Sequence, residues 1–237
     1  MHPTKNNGFM VIYKGFQYIY ERKILVSDML GKPFNTENFD AKTIAHLLYD
    51  PRNNGVMVFP DFVKKGFLYE LIGEIEEQRK RYQQAPHVVG SVSQNFKGFW
   101  AGEADSETID GKFPAIMELR KSFQPLYEDI GRASEFQAGP LNSISVNVYD
   151  GGPIGITAHR DESKYVNAIA IFCISGDAYF YSCNDRERNG LINFDASPGR
   201  LLLMRAPRKK EESELRPFHG VQNVSPGRTS IMLRQVQ

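Results

Sequence analysis

The chain predicts an α+β domain: helices first, then a run of short strands that closes into a double sheet or jelly roll. Three observations carry this. Residues 38–50, 62–82 and 114–131 place apolar side chains at helical spacing. From Asn142 onward the pattern changes to roughly eight short extended segments divided by turns. The chain has 237 residues, enough for one domain with a substantial core, with or without an N-terminal extension.

Residues 1–36 mix aromatics and charges, and the alternation of Phe16, Tyr18 and Tyr20 suits a strand. Asn38 to Asp50 reads as a helix with Ile44, Leu47 and Leu48 as its apolar stripe. Pro51 to Gly55 is a loop, and Val56 to Phe59 a short buried strand. Asp61 is placed to cap a helix from about Phe62 to Tyr82. Its inner stripe is Leu68, Leu71, Ile72 and Ile75, with Glu74, Glu76, Glu77 and Lys80 outside. Arg79, Lys80 and Arg81 read as a solvated helix end that complements the macrodipole. Residues 86–112 carry little regular pattern, and their aromatics suit either a substrate loop or closure of the core. Pro114 to Gly131 is a helix with Ile116, Leu119, Phe123, Leu126 and Tyr127 on one side.

The strands follow: Val166 to Ser175, Ala178 to Ser182, Leu191 to Phe194, Arg200 to Met204, and Arg228 to Arg234. Arg205 to Arg216 is a charged stretch in which Glu211, Glu212 and Glu214 blunt Arg208, Lys209 and Lys210.

Net charge is +1, so no overall field draws the chain to nucleic acid or anionic membrane. No apolar run nears the roughly 20 residues that span a bilayer. The first residues lack the apolar core of a signal peptide. Two cysteines, Cys173 and Cys183, make no disulfide framework. A reducing, cytoplasmic compartment is the simplest reading.

The chemistry concentrates between Ser143 and Asp161 and on the last strand. Val146 to Tyr149 reads as a strand, Asp150 to Pro153 as a turn, and Ile154 to Asp161 as extended again. Side chains two apart on a strand share a face, so Asn147 pairs with Tyr149 and His159 with Asp161. His159 and Asp161 offer an imidazole nitrogen and a carboxylate to one point. His219 completes a facial triad with open positions, the arrangement suited to non-haem Fe(II). Arg228, Ser230, Met232 and Arg234 share a face of the final strand. Their guanidinium groups can grip the two ends of a dicarboxylate. A zinc site could use two His and an Asp, but it has no need of the two arginines, Asn147 and Tyr149.

Together these motifs resemble the AlkB-like branch of the Fe(II)/2-oxoglutarate dioxygenases, over about residues 142–237 and more loosely from Val56. The resemblance implies a double-stranded β-helix (jelly-roll) core with the N-terminal helices packed on one sheet. It makes 56–237 the dioxygenase domain and 1–55 an N-terminal extension of the same unit. His159, Asp161 and His219 are the implied catalytic iron ligands, with 2-oxoglutarate and O2 as co-substrates. Arg228, helped by Tyr149 and Ser230, is the implied partner of the distal carboxylate, and Arg234 with Asn147 lies nearer the C1 carboxylate. The implied reaction decarboxylates 2-oxoglutarate to succinate and hydroxylates a substrate C–H bond.

For the substrate, the favoured reading is a small molecule or an amino-acid side chain, with Phe96, Phe99, Trp100 and Tyr165 near the pocket. Arg216 falls near the place where repair members of the family carry a substrate-gripping arginine. One alternative is oxidative demethylation of alkylated DNA or RNA, with Arg79 to Arg81, Lys97, Arg205 and Arg208 to Lys210 as basic candidates. Another is a metal- and 2-oxoglutarate-binding protein without turnover.

Overall fold

The computed structural model describes residues 9–13, 16–20, 33–37, 39–101 and 113–237. The chain divides into two compact units, Met1–Lys32 and Pro33–Gln237. In the first, β1 (Phe9–Tyr13) and β2 (Phe16–Tyr20) pair antiparallel, with Phe9 opposite Tyr20.

The second unit begins with α1 (Ala41–Tyr49), β3 (Val56–Phe59) and α2 (Lys65–Glu77). Asp40 caps α1 by accepting the Thr43 backbone N–H at 3.0 Å. Short strands β4 (Gln83–Gln84), β5 (Val88–Val89) and β6 (Val92–Ser93) lead to β7 (Lys97–Ala101). Helix α3 (Pro114–Ala133) starts on Pro114, whose missing N–H costs nothing in a first turn. The remaining strands are β8 (Ser143–Tyr149), β9 (Gly152–His159), β10 (Tyr165–Ser175), β11 (Tyr179–Cys183) and β12 (Ile192–Asp195). Then come β13 (Leu201–Arg205), β14 (Phe218–Val224) and β15 (Arg228–Val236).

These strands form the jelly roll. A seven-stranded sheet runs β3-β13-β10-β15-β8-β7-β4, and a four-stranded sheet runs β12-β11-β14-β9. Every pairing in them is antiparallel. The period of two sorts the large sheet's side chains. Ile144, Val146, Ala168, Ala170, Phe172, Leu201, Leu203, Ile231 and Leu233 pack with the helices. Their alternates, among them Tyr149, Ile169, Ile171, Leu202 and Met232, pack with Phe180, Val221 and Val224 of the small sheet. Both faces of β10 are therefore covered, which is why its sequence is apolar from Ala168 to Ile174. The same alternation turns Arg228, Ser230 and Arg234 inward between the sheets, while Ile231 and Leu233 face the helices.

Five expectations are corrected. In α1 the buried residues are Ile44, Ala45 and Leu48, while Leu47 is 39% exposed. The helix expected over 62–82 is shorter, ending at Glu77, with a 3-10 turn at Arg79–Arg81. Asp61 does not cap it; Lys64 precedes its first turn without a side-chain cap. The irregular stretch from residue 86 contains β7, which pairs with β8. Its pattern is hidden because Gly98 interrupts the side-chain alternation. A Cβ at Gly98 would meet the Val146 carbonyl oxygen at 1.9 Å, so the strand needs glycine there. Residues 102–112 lie outside the described residues.

The fifth correction is Glu74, which is buried rather than outward. Its carboxylate accepts the backbone N–H groups of Ala115 (2.7 Å) and Ile116 (2.9 Å) at the start of α3. It thus satisfies two orphan donors of a helix that has no side-chain cap of its own. Burial pushes the Glu74 carboxyl up to about 7, against the pull of those two N–H groups, with Glu77 and Glu70 adding to the rise. The folded state then holds a proton that the unfolded chain has released above its ordinary value of 4.5. Stability from this group is full below that value and is lost as pH rises through about 7. The expected loss between pH 5 and 8 is about 1–3 kcal/mol. Urea melts at the two pH values should show it, and the difference should shrink in Glu74→Gln.

Among the described residues no helix is long and apolar enough to cross a membrane.

Candidate functional site

Three residues from two neighbouring strands meet between the sheets. His159 ends β9, and the antiparallel register places it opposite His219 on β14. Their ring centroids are 4.3 Å apart. Asp161 lies two residues past the end of β9, yet its Oδ1 is 3.5 Å from His159 Nε2 and 3.7 Å from His219 Nε2. The three ligand atoms lie within 4.8 Å of one another, a spacing that can hold a metal ion.

The surroundings fix which atoms face the metal. His159 Nδ1 donates to the Thr157 carbonyl at 2.9 Å, and His219 Nδ1 to the Pro217 carbonyl at 3.2 Å. A carbonyl accepts only, so each Nδ1 carries the hydrogen and each Nε2 keeps its lone pair. Burial pushes His219 down to about 4, the nearby His159 charge adding to the effect, so it stands neutral at pH 7. Burial also disfavours charge on His159, but the hydrogen bond and charge of Asp161 and the Thr157 carbonyl together outweigh it and raise the pKa. Burial alone would raise Asp161, yet His159, His219 and Arg234 together hold its carboxyl well below the carboxylate range. A metal held here would take over the role of countercharge to Asp161.

The arginines of β15 stand beside this triad. Arg228 is 1% exposed and faces Tyr149, its register partner on β8, with its guanidinium carbon 4.8 Å from the ring centroid. Its Nε and Nη1 are buried without a hydrogen-bond partner, and among the described residues no carboxylate pairs with it. A cation in that condition is costly unless an anion joins it. Ser230 lies two residues on, opposite Asn147. Arg234 donates from Nη1 to Ser145 Oγ at 3.0 Å, and its Nε is 3.9 Å from Asp161 Oδ2, too long for a hydrogen bond. That Nε too is buried and unsatisfied. The triad and the two arginines thus form one constellation: Arg234 stands beside Asp161, and Arg228 lies six residues away along the same strand.

Both open on one cavity of about 1370 Å³. Its lining includes the triad, Asn147, Tyr149, Arg228, Ser230 and Arg234. A pocket for one drug-sized ligand is usually about 300–1,000 Å³, so there is room for a co-substrate and a substrate together.

Of the residues expected near the substrate, Phe96, Phe99, Trp100 and Tyr165 all line the cavity. Phe96 packs on Tyr149 at 5.6 Å, while Phe99 stacks on Phe113 at 5.0 Å and serves the core as well. Tyr165 and Trp100 lie against the Arg234 guanidinium at 4.7 and 5.4 Å. Arg216 differs from expectation. It donates to the Ser213 and Asp161 carbonyls and is not part of the lining, so it braces the Asp161 backbone.

The basic candidates also sort differently. Arg205 is 7% exposed and donates to the carbonyls of Leu215, Leu48 and Asp50. Arg208 is bound to Glu212 and the Ser134 carbonyl. Both hold the fold. Of the same candidates, Lys80 and Arg81 do line the cavity, and Arg160 and Arg186 join them there. Arg160 and Arg186 escaped sequence reasoning because each sits singly among mixed charges, and the signal exists only when the segments are brought together.

No family model matches this chain, and no curated protein does. Solved structures share its fold. One is a prolyl hydroxylase in complex with a hypoxia inducible factor oxygen degradation domain peptide fragment from Trichoplax adhaerens. It is 18% identical with a TM-score of 0.60, over 83% of this chain and 90% of that one. A prolyl-4-hydroxylase of Pseudomonas putida matches with a TM-score of 0.59 at 12% identity, over 82% and 100%. OsALKBH1 matches with a TM-score of 0.55 at 17% identity, over 76% and 98%. The likeness is one of fold: a jelly roll with helices against its larger sheet.

Proposed function

We propose that the protein is an Fe(II)- and 2-oxoglutarate-dependent oxygenase that hydroxylates a C–H bond of a small molecule or an amino-acid side chain. The observation that carries this is the pairing of the His159, Asp161 and His219 triad with Arg228, a fully buried cation with two unsatisfied N–H groups. A zinc site would use the triad and leave Arg228 unexplained. A bound dicarboxylate explains it.

In this reading His159 and His219 hold the metal through Nε2 and Asp161 through a carboxylate oxygen, leaving positions open toward the cavity. Arg228 receives the distal carboxylate of 2-oxoglutarate, with Tyr149 and Ser230 beside it. Arg234 and Asn147 serve the C1 end. When bound, iron and 2-oxoglutarate supply the activation of O2, and the sum of the reaction is R–H, 2-oxoglutarate and O2 giving R–OH, succinate and CO2. The chain's own contribution is to orient and to exclude water. Ile171, Phe180 and Val221 wall the cavity between the sheets. The Nδ1 bonds to Thr157 and Pro217 keep both imidazoles aimed at one point.

The solved relatives support this as a fold that hosts such chemistry, one of them with a peptide bound. Oxidative demethylation of alkylated nucleic acid draws on the cations at the cavity, and strongly salt-dependent single-strand binding would be its mark. The test is succinate. Fe(II)-loaded protein should turn 2-oxoglutarate over to succinate with O2 uptake, even slowly without substrate, and a protein that binds without turnover should give none.

A further inference from the structure

The cavity's charge is out of proportion to the chain's. Six cations line it, Lys80, Arg81, Arg160, Arg186, Arg228 and Arg234, against two carboxylates, Asp161 and Glu162, although the whole chain carries only +1. A divalent metal and a dicarboxylate cancel each other, so their arrival leaves this excess in place. Arg228 and Arg234 are used by the co-substrate. The other four are not.

Two of those four are organised. The guanidinium groups of Arg160 and Arg186 both lie against the ring of Phe218, at 4.3 and 5.8 Å from its centroid. Phe218 begins β14, one residue before His219, and packs with Ala158, Tyr181 and Cys183 on the other face of the small sheet, while Arg160 lies between His159 and Asp161; the two guanidinium-bearing residues line the cavity from there. Arg160 is paired with Glu214, itself 81% exposed, and its Nε is buried without a partner. Arg186 donates to Ser91 Oγ between β5 and β6, and among the described residues it has no ion-pair partner. Gathering like charges on one ring is unfavourable without an anion to share, and the flat donor fork of arginine matches carboxylate and phosphate oxygens.

Resting on the oxygenase reading above, we infer that Arg160 and Arg186 form a second oxyanion site, which holds a carboxylate or phosphate of the substrate itself. The substrate is then an anionic small molecule or side chain, anchored by its oxyanion beside the metal while a nearby C–H bond faces the open coordination positions. Lys80 and Arg81, across the cavity, draw it in.

The test uses the protein loaded with Mn(II) and 2-oxoglutarate without O2, titrated with inorganic phosphate or acetate against chloride at equal ionic strength. Binding is read calorimetrically. At least one oxyanion should bind the parent protein, and Arg186→Gln should weaken it about tenfold or more. A response to phosphate alone assigns a phosphoryl substrate, and a response to acetate alone a carboxylate. Arg160→Gln should act alike, with Mn(II) loading checked because it adjoins two ligands. Arg228→Gln separates the two readings. If it, rather than Arg186→Gln, abolishes the binding, the anion was in the clamp and the second site is wrong. No binding to the loaded parent protein, or equal binding by Arg186→Gln, overturns the inference while leaving the triad and clamp intact.

Discussion

Asp161→Ala and His219→Ala are each expected to lower divalent-metal affinity by more than about 100-fold while the sheets stay folded. Loss of a group that merely orients a ligand commonly costs 10–100-fold, and these changes remove a ligand. The fold should survive because both side chains face the cavity, His219 resting on Phe180 at 5.4 Å without being part of the apolar clusters. Asp161 lies beyond the end of β9, and its backbone carbonyl is held by Arg216 whatever its side chain. His219 keeps its strand pairing with β11 and β9 through the backbone. Metal content after dialysis, with circular dichroism as the control, measures both effects. Asp161→Ala also strips Arg234 of its nearest anion, so its 2-oxoglutarate affinity should change in addition to its metal affinity. A variant that kept full metal affinity would remove Asp161 from the ligand set.

The second large effect has two signs. Arg228→Met should weaken 2-oxoglutarate binding by about 100-fold or more, since a buried charge pair that loses one partner costs about 2–5 kcal/mol or more. Without the co-substrate, the same variant should be as stable as the parent or more so. Arg228 is 1% exposed with two unsatisfied N–H groups, and an apolar side chain of similar length relieves that burden. Thermal melts with and without 2-oxoglutarate separate the two. The parent should gain stability from the ligand by mass action and the variant should not at the same concentration. A variant destabilised without ligand would mean that Arg228 is part of the scaffold rather than a receptor.

The site was legible because its chemistry is written in strand periods. Asn147 and Tyr149 and the alternating residues of the last strand need only a period of two to be placed on common faces, whereas Asp161 reaches His159 from two residues beyond the end of β9. What was not legible depends on partners distant in sequence. Glu74 falls in a polar run at helical spacing, and nothing in α2 announces that the start of α3 will arrive over it 41 residues later. Strand β7 was hidden by Gly98, whose role is to let the Val146 carbonyl approach. The charged stretch at 205–216 resembled a phosphate track in composition. Its first arginine is in fact consumed by backbone carbonyls, and Arg208 by Glu212 and a carbonyl. The near-neutral net charge argued against nucleic acid and anionic membrane as partners, but a total says nothing of where charges gather, and folding collects cations from separate segments into one cavity.

The most direct measurement of the central claim is an anaerobic titration of metal-free protein, first with Fe(II) and then with 2-oxoglutarate, followed in the visible range. Bidentate chelation of a 2-oxo acid by ferrous iron gives a weak charge-transfer band that iron alone does not. The account predicts that band in the parent protein, its absence in Asp161→Ala, and its appearance in Arg228→Met only at much higher 2-oxoglutarate. Stoichiometric iron binding with no band at saturating 2-oxoglutarate would contradict the account and return the triad to a zinc or purely structural role.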